Sequence, residues 1–324
     1  MTVNPVDALP ANANAIGIDV GGSKIEAVVL AHAGRQLWRQ RIASPSGSYD
    51  AMLDAITGLA EAARSSHAGA GASIGLGTPG SQTPEGLIKN ANTLCLNGRP
   101  LQLDLATRLG QAVRLANDAN CLALSEAIDG AGAGAGVVFA AILGTGTGAG
   151  IAVDGRVLTG PNGLAGEWGH NPLPWREAQD AWIDCYCGQA GCIETLLSGP
   201  GLARDHQRAS GVSLSAQSIA VAAGLGDAAS AASLARWQHR LARALAAVIN
   251  LLDPDVIVLG GGLSRIASVY RAVPALWGRW VVSGGLKDPV RTLLKPSLHG
   301  DASGVRGAAW LWRLPPPAAP GQGL

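Results

Sequence analysis

Residues 16–30 read IGIDVGGSKIEAVVL: an apolar run, a glycine turn and a second apolar run. Isoleucine and valine dominate both runs, and the paired glycines permit a tight reversal, so the stretch predicts strand, turn, strand. Residues 137–153, VVFAAILGTGTGAGIAV, repeat that plan, and Asp154-Gly155 turns the chain into a further strand at 156–158. Each hairpin has a later echo. A short strand at 73–76 runs into Gly77-Thr78-Pro79-Gly80, and one at 256–259 runs into Gly260-Gly261-Gly262. A glycine hairpin followed by a strand with a glycine exit, twice over, predicts two similarly built α/β lobes.

Helices fill the intervals. They are predicted at 49–65, where Met52, Leu53, Ile56 and Leu59 are apolar, and at 101–109, after Pro100. A third is predicted at 233–252, where Leu234, Trp237, Leu241, Leu245, Val248 and Leu252 form one stripe that Pro254 ends. A last helix is expected at about 304–312 and can return to the first lobe. The predicted organisation is a flexible leader at 1–14, an N-terminal lobe at 15–118 plus about 304–313, a C-terminal lobe at 119–303, and a disordered tail at 314–324. A chain of 324 residues is long for one core, and its 48% hydrophobic content fills two. The net charge of +1 leaves no basic face for nucleic acid. The N-terminus lacks a basic region followed by an apolar core. The longest uncharged run, 130–153, holds eight glycines in 24 residues, which argues against a membrane helix. A cytoplasmic protein with no membrane partner is expected.

Residues 166–194 place His170, Cys185, Cys187 and Cys192 between two acids, Glu167 and Glu194. Three of the five cysteines fall within eight residues. One histidine and three cysteines satisfy a closed tetrahedral zinc site with no position left for water, which is a structural brace. The plainer reading is a turn-capping histidine and loosely packed thiols; the C-x-C-x4-C spacing favours the metal. Glu167 and His170 lie three apart on one side of a helical turn, and Glu194 lies two beyond the last cysteine. Carboxylates held this way suit a polyhydroxylated ligand, because sugar hydroxyls donate and carboxylates accept. Asn90, Asn92 and Asn97 add polar groups in one loop, with turn chemistry the simpler reading for Asn97.

Asp19-Val20-Gly21-Gly22-Ser23-Lys24 sits between two strands. Its backbone N–H groups can face a phosphate, Asp19 can hold Mg²⁺, and Lys24 can reach a phosphate as a point charge. The turn is neither a Walker loop nor a dinucleotide fingerprint. Gly144-Thr145-Gly146 is a second such turn. Gly260-Gly261-Gly262 is a third, predicted to lead into a helix whose N-terminus favours an anion. Each alone is most simply a turn; three at matching places point to a nucleoside triphosphate held between the lobes. Asn117-Asp118-Ala119-Asn120 follows a short strand at 113–116. Asp118 is the candidate general base for a hydroxyl attacking phosphorus. The alternative is that Asn117 or Asp118 caps a helix at 119–128.

Together E-x-G-H, C-x-C-G-x2-G-C-x-E, D-x-G-G-S-K, N-D-A-N and G-T-G-x-G resemble the ROK family of bacterial sugar kinases, over about residues 16–312. The resemblance implies an α/β, two-lobe, actin-like (ribonuclease-H-like) fold whose interlobe cleft closes on sugar and Mg-ATP. It implies that Asp118 is the catalytic base, and that Asn92, Asn117, Glu167, His170 and Glu194 contact the sugar. His170 would also bind zinc beside Cys185, Cys187 and Cys192. Gly21, Gly22, Lys24, Thr145, Gly146 and Gly261 would form the nucleotide turns. The family's loop tryptophan appears here as Leu96. A homodimer is common in the family. Residues 166–175 (GEWGHNPLPW) and 89–100 (KNANTLCLNGRP) resemble proteobacterial fructokinases that also act on mannose. The expected reaction is therefore ATP-dependent phosphorylation of D-fructose to fructose 6-phosphate, with mannose, glucose and N-acetylglucosamine as alternative substrates. The rival from another class is a sugar-responsive repressor of the same family. Only 15 residues precede Ile16, too few for the DNA-binding domain that such a repressor carries there.

Overall fold

The computed structural model describes residues 13–283 and 287–313. Most of the leader expected at 1–14, and all of the tail expected at 314–324, lie outside the described residues. The chain forms two compact units. The first takes the described residues up to Ser125, then Thr159–Leu164 and the chain from Ala302 on; the second takes Glu126–Leu158 and Ala165–Asp301.

In the first unit, β1 (Ala15–Val20), β2 (Lys24–Leu30) and β3 (Gln36–Ala43) form an antiparallel meander. β4 (Ser73–Thr78) pairs parallel with β1. β5 (Ser81–Gln82) and β6 (Ile88–Lys89) make a separate two-stranded ribbon. β7 (Val113–Asn117) pairs parallel with β4, so the order is β3-β2-β1-β4-β7. α1 (Tyr49–Ser65) opens where the Ser48 hydroxyl accepts from Ala51 N–H, and α2 (Leu101–Leu109) ends on Gly110. Met52, Ile56 and Leu101 from these helices pack with Ile16, Ile18 and Leu76 of the sheet.

The second unit repeats this sheet. β8 (Val137–Leu143), β9 (Thr147–Val153) and β10 (Arg156–Val157) are antiparallel, and β11 (Val256–Gly260) and β12 (Leu293–Pro296) continue parallel to β8. The order β10-β9-β8-β11-β12 matches the first sheet position for position. α3 (Asp118–Ile128) leads in from β7, and α4 (Ile193–Leu197), α5 (Gly199–Ser210), α6 (Ala216–Gly224), α7 (Ala228–Leu252) and α8 (Val269–Trp277) follow within the unit. Trp237, Leu241 and Leu245 of α7 are fully buried, and Trp237 Nε1–H donates to Leu197 O at 2.9 Å. α7 starts five residues before the predicted 233, where the Asp227 carboxylate accepts from Ser230 N–H. β3 and β12 are absent from the sequence reading. Both are edge strands; β3 is largely exposed and polar and β12 is only four residues long, so neither shows a clear apolar alternation.

α9 (Ser303–Trp310) returns to the first unit, as expected. The units divide inside α3, between Ser125 and Glu126, rather than near 117–121. The first turns of α3 pack on α9 closely enough that a side chain on Gly307 would meet Cys121 O at 1.7 Å. No single helix among the described residues is long and apolar enough to cross a membrane.

Candidate functional site

In the first unit the chemistry gathers at the C-terminal ends of the parallel strands. β1 ends in Asp19-Val20, and Gly21 N–H donates to Lys24 O at 2.9 Å, closing the hairpin around Gly22 and Ser23. The Asp19 carboxylate packs against glycine on two sides. A Cβ on Gly77 would sit 3.4 Å from its Oδ1, and one on Gly304 3.4 Å from its carboxyl carbon. Burial, and next the charge of Asp118, push the Asp19 carboxyl up to about 7, with Lys24 partly offsetting them. Asp19 and Asp118 lie at the same end of one sheet, and a carboxylate so costly to ionise fits a divalent cation.

Asn117 is committed to local structure. Its Oδ1 accepts from Ala119 N–H at 2.9 Å and Asn120 N–H at 3.4 Å, and its Nδ2 donates to Gly80 O at 2.8 Å. The capping alternative therefore describes Asn117. Asp118 occupies the first turn of α3, where its Oδ1 accepts from Ala119 N–H at 2.8 Å. Asn92 is exposed in the loop after β6. Asn97 clamps that loop, accepting from Ala91 N–H and donating to Ala91 O, each at 2.9 Å. Leu96 is wholly buried in the core, away from any stacking role. Thr93, which the sequence reading missed, buries an unpartnered hydroxyl toward the first glycine turn, 3.7 Å from where a Cβ of Gly22 would lie.

In the second unit the four expected metal ligands converge. One donor atom from each of His170, Cys185, Cys187 and Cys192 lies within 4.8 Å of the others. His170 Nδ1 is 3.6 Å from Cys185 Sγ, and the sulfurs of Cys187 and Cys192 are 3.7 Å apart. Bond lengths of about 2.0–2.3 Å give a tetrahedral zinc site ligand edges of roughly 3.5–3.8 Å, so the residues fit the ion. His170 Nε2 is taken by the Tyr186 hydroxyl at 3.0 Å, an engagement that the sequence reading did not foresee. Partial burial of the Tyr186 ring, then the charge of Glu194, with Cys185 and Glu167 adding, raise its phenol to about 12. With the residue 79% exposed, the neighbouring charges are the stronger physical cause.

Glu167 and Glu194 are both half-buried. Glu194 Oε2 accepts from Thr147 N–H at 2.8 Å, and a Cβ on Gly146 would approach that oxygen to 2.9 Å. Glu194 therefore ties the cysteine loop to the second glycine turn, Gly144-Thr145-Gly146. Thr147 Oγ1 is buried there without a partner. Gly261 has φ +80°, and a Cβ there would meet Leu143 O at 2.5 Å, so only glycine fits the third turn. One expectation fails here. Gly260 and Gly261 lead into a single 3₁₀ turn, Gly262–Arg265, and α8 starts only at Val269, so no helix dipole faces the turn. A cavity of about 700 Å³ opens beside it, lined by Ala223, Ala235, Gln217, Gln238, Gly262 and Arg265 among others.

Behind the cysteine loop lies a buttress that the sequence reading missed. Asp180 accepts from Arg240 Nε and pairs with Arg243 Nη1, both at 2.8 Å and all nearly solvent-free. Burial alone would raise its carboxyl, but the hydrogen bonds from Arg243 and Arg240 outweigh it and hold the group at about 2. The available signal was a pair of arginines, 240 and 243, on the apolar side of α7.

Comparison with known proteins follows the same lines. The profile of the ROK family matches residues 15–314. The chain is 40% identical over 305 residues to the N-acetyl-D-glucosamine kinase of Escherichia coli O6:H1, covering 91% of this chain and 98% of that one. Among solved structures, the ROK hexokinase of Thermus thermophilus superposes with a TM-score of 0.77 at 30% identity, covering 91% and 96% of the two chains. A ROK family glucokinase of Streptomyces griseus, in complex with glucose and AMPPNP, gives 0.75 at 28% identity over 93% and 99%.

Proposed function

This chain belongs to the ROK family and is a sugar kinase, and from that premise we propose that it transfers the γ-phosphoryl group of ATP to the primary hydroxyl of a hexose, with Asp118 as general base. The observation that carries the assignment of the base is the placement of Asp118 and Asp19 at the C-terminal ends of parallel strands of one sheet. Asp118 would accept the hydroxyl proton as the oxygen attacks phosphorus, and Asn117, capping α3, would keep that carboxylate in place. Asp19 is the residue that would hold Mg²⁺, which would offset the charge of the phosphate oxygens. By the family resemblance, Gly21, Gly22, Ser23, Lys24, Gly144, Thr145, Gly146, Gly260 and Gly261 would contact the nucleotide. The cavity beside Gly262, with alanine walls and two glutamine amides, suits a nucleoside base and ribose. Asn92, Glu167 and Glu194 would take sugar hydroxyls. His170, Cys185, Cys187 and Cys192 would hold zinc as a brace. A cytoplasmic homodimer is part of the same reading.

The sugar has two readings. N-acetyl-D-glucosamine is favoured by relatives 40% identical over nearly their whole length. D-Fructose finds no support among those relatives. It is kept as the second reading because the fructokinase-like stretches at 89–100 and 166–175 include Asn92, Glu167 and His170. A coupled ADP-release assay with MgATP would compare N-acetylglucosamine, fructose, mannose and glucose. The highest kcat/KM identifies the substrate: N-acetylglucosamine supports the first reading, fructose the second. Absence of ADP release with every hexose would overturn the kinase assignment for this chain.

A further inference from the structure

Both ring nitrogens of His170 are engaged. Nδ1 faces the cysteine sulfurs, 3.6 Å from Cys185 Sγ, and Nε2 is 3.0 Å from the Tyr186 hydroxyl. The two rings meet edge to face with centroids 5.1 Å apart. A histidine whose Nδ1 serves a metal carries its remaining proton on Nε2. Nε2–H then donates and the Tyr186 oxygen accepts, which directs the phenol proton toward a third group. Tyr186 stands between Cys185 and Cys187, so ligands on both sides hold its backbone, yet the residue is 79% exposed. An aromatic ring that contributes little to the core but is oriented at its tip and root is arranged for contact with a ligand.

The surrounding chemistry supplies the complement. Glu167 and Glu194, whose charges act on Tyr186, accept hydrogen bonds and donate none. Sugar hydroxyls that donate to them leave oxygen lone pairs, and this half of the site needs a donor to meet those.

We infer that Tyr186 is a sugar-contacting specificity residue, its phenol O–H donating to a sugar oxygen from the position where the family resemblance places His170. The inference rests on the hexose-kinase reading.

Wild type and Tyr186→Phe would be compared by sugar titration calorimetry without nucleotide, by steady-state kinetics and by zinc content per chain. Loss of one neutral hydrogen bond should weaken sugar binding roughly three- to tenfold. The KM for sugar should rise to match, while kcat, the KM for ATP and the zinc content stay at the wild-type level. Unchanged sugar affinity in Tyr186→Phe would overturn the inference. So would a joint loss of zinc and affinity, which would make Tyr186 a support for the metal loop. If the wild type phosphorylates no hexose, the kinase reading itself fails, an outcome that the wild-type arm alone reveals.

Discussion

Asp19 and Asp180 are shielded carboxylates, one in each unit, and their acidities are driven in opposite directions. Asp19 is pushed up to about 7 by burial and by the charge of Asp118. Asp180 is held at about 2 because Arg243 and Arg240 outweigh its burial. The two sheets that carry these units have the same strand order. The repeat therefore duplicates a scaffold and leaves the chemistry to differ. In the first unit two acids share the strand-end side of one sheet, with Lys24 and Arg41 as partial offsets. In the second, a comparable acid anchors the loop that carries the candidate metal ligands. Perturbed acids of the first kind mark sites that await a ligand; acids of the second kind mark architecture.

The largest effect expected from breaking this contrast is at Asp118. Asp118→Asn should lower kcat by about 10³-fold, within the usual range for loss of a general base, while sugar binding by calorimetry stays near wild type. Turnover that survives the change would remove Asp118 from that role. Next comes the buttress. Asp180→Asn strips a buried carboxylate from two arginines and should cost about 3–5 kcal/mol in denaturant unfolding. A loss under 1 kcal/mol would show that the arginines find other partners. Cys187→Ser should release the zinc and raise the KM for sugar roughly tenfold, read by metal analysis alongside kinetics. Full zinc content in that variant would exclude Cys187 as a ligand.

The smallest effect sharpens the comparison itself. From an ordinary value of 3.8 to about 7, the folded chain keeps the Asp19 proton that the unfolded chain has lost. That contribution to stability is present at acid pH and is lost as pH rises through this window. Asp180 has the reverse sign: its contribution is present above 3.8 and is lost as pH falls toward about 2. Unfolding midpoints measured from pH 4 to 8 should therefore show a downward component in the wild type that Asp19→Asn flattens. An identical slope in both proteins would refute the upward shift of the Asp19 carboxyl.

Much of this could be read before any coordinates. The two glycine hairpins, α1 and α2, the stripe of α7 and the cluster of four candidate metal ligands all fall where their spacing puts them. The misses have physical causes. β3 and β12 are edges with weak alternation, α7 begins at a cap outside its apolar stripe, and the helix expected after Gly262 is only one 3₁₀ turn. The cap that the sequence offered at Asn117 or Asp118 falls to Asn117, whose amide is occupied by α3 and Gly80.

By itself the sequence determined what depends on neighbours along the chain: strand and helix periods, glycine turns, and a cysteine cluster short enough for one loop to close on an ion. It also determined the family, because five motifs in order leave few alternatives. The tertiary structure decided what depends on groups remote in sequence meeting within a few ångströms. Asp19 and Asp118 come to the same end of one sheet because β1, β4 and β7 lie side by side in parallel. Asp180 meets the arginines of α7, and Glu194 meets Thr147, by the packing of separate elements. Hydrogen bonds and charge interactions fall off steeply with distance. Which residue performs which task was therefore fixed only when strand order and helix packing set those distances.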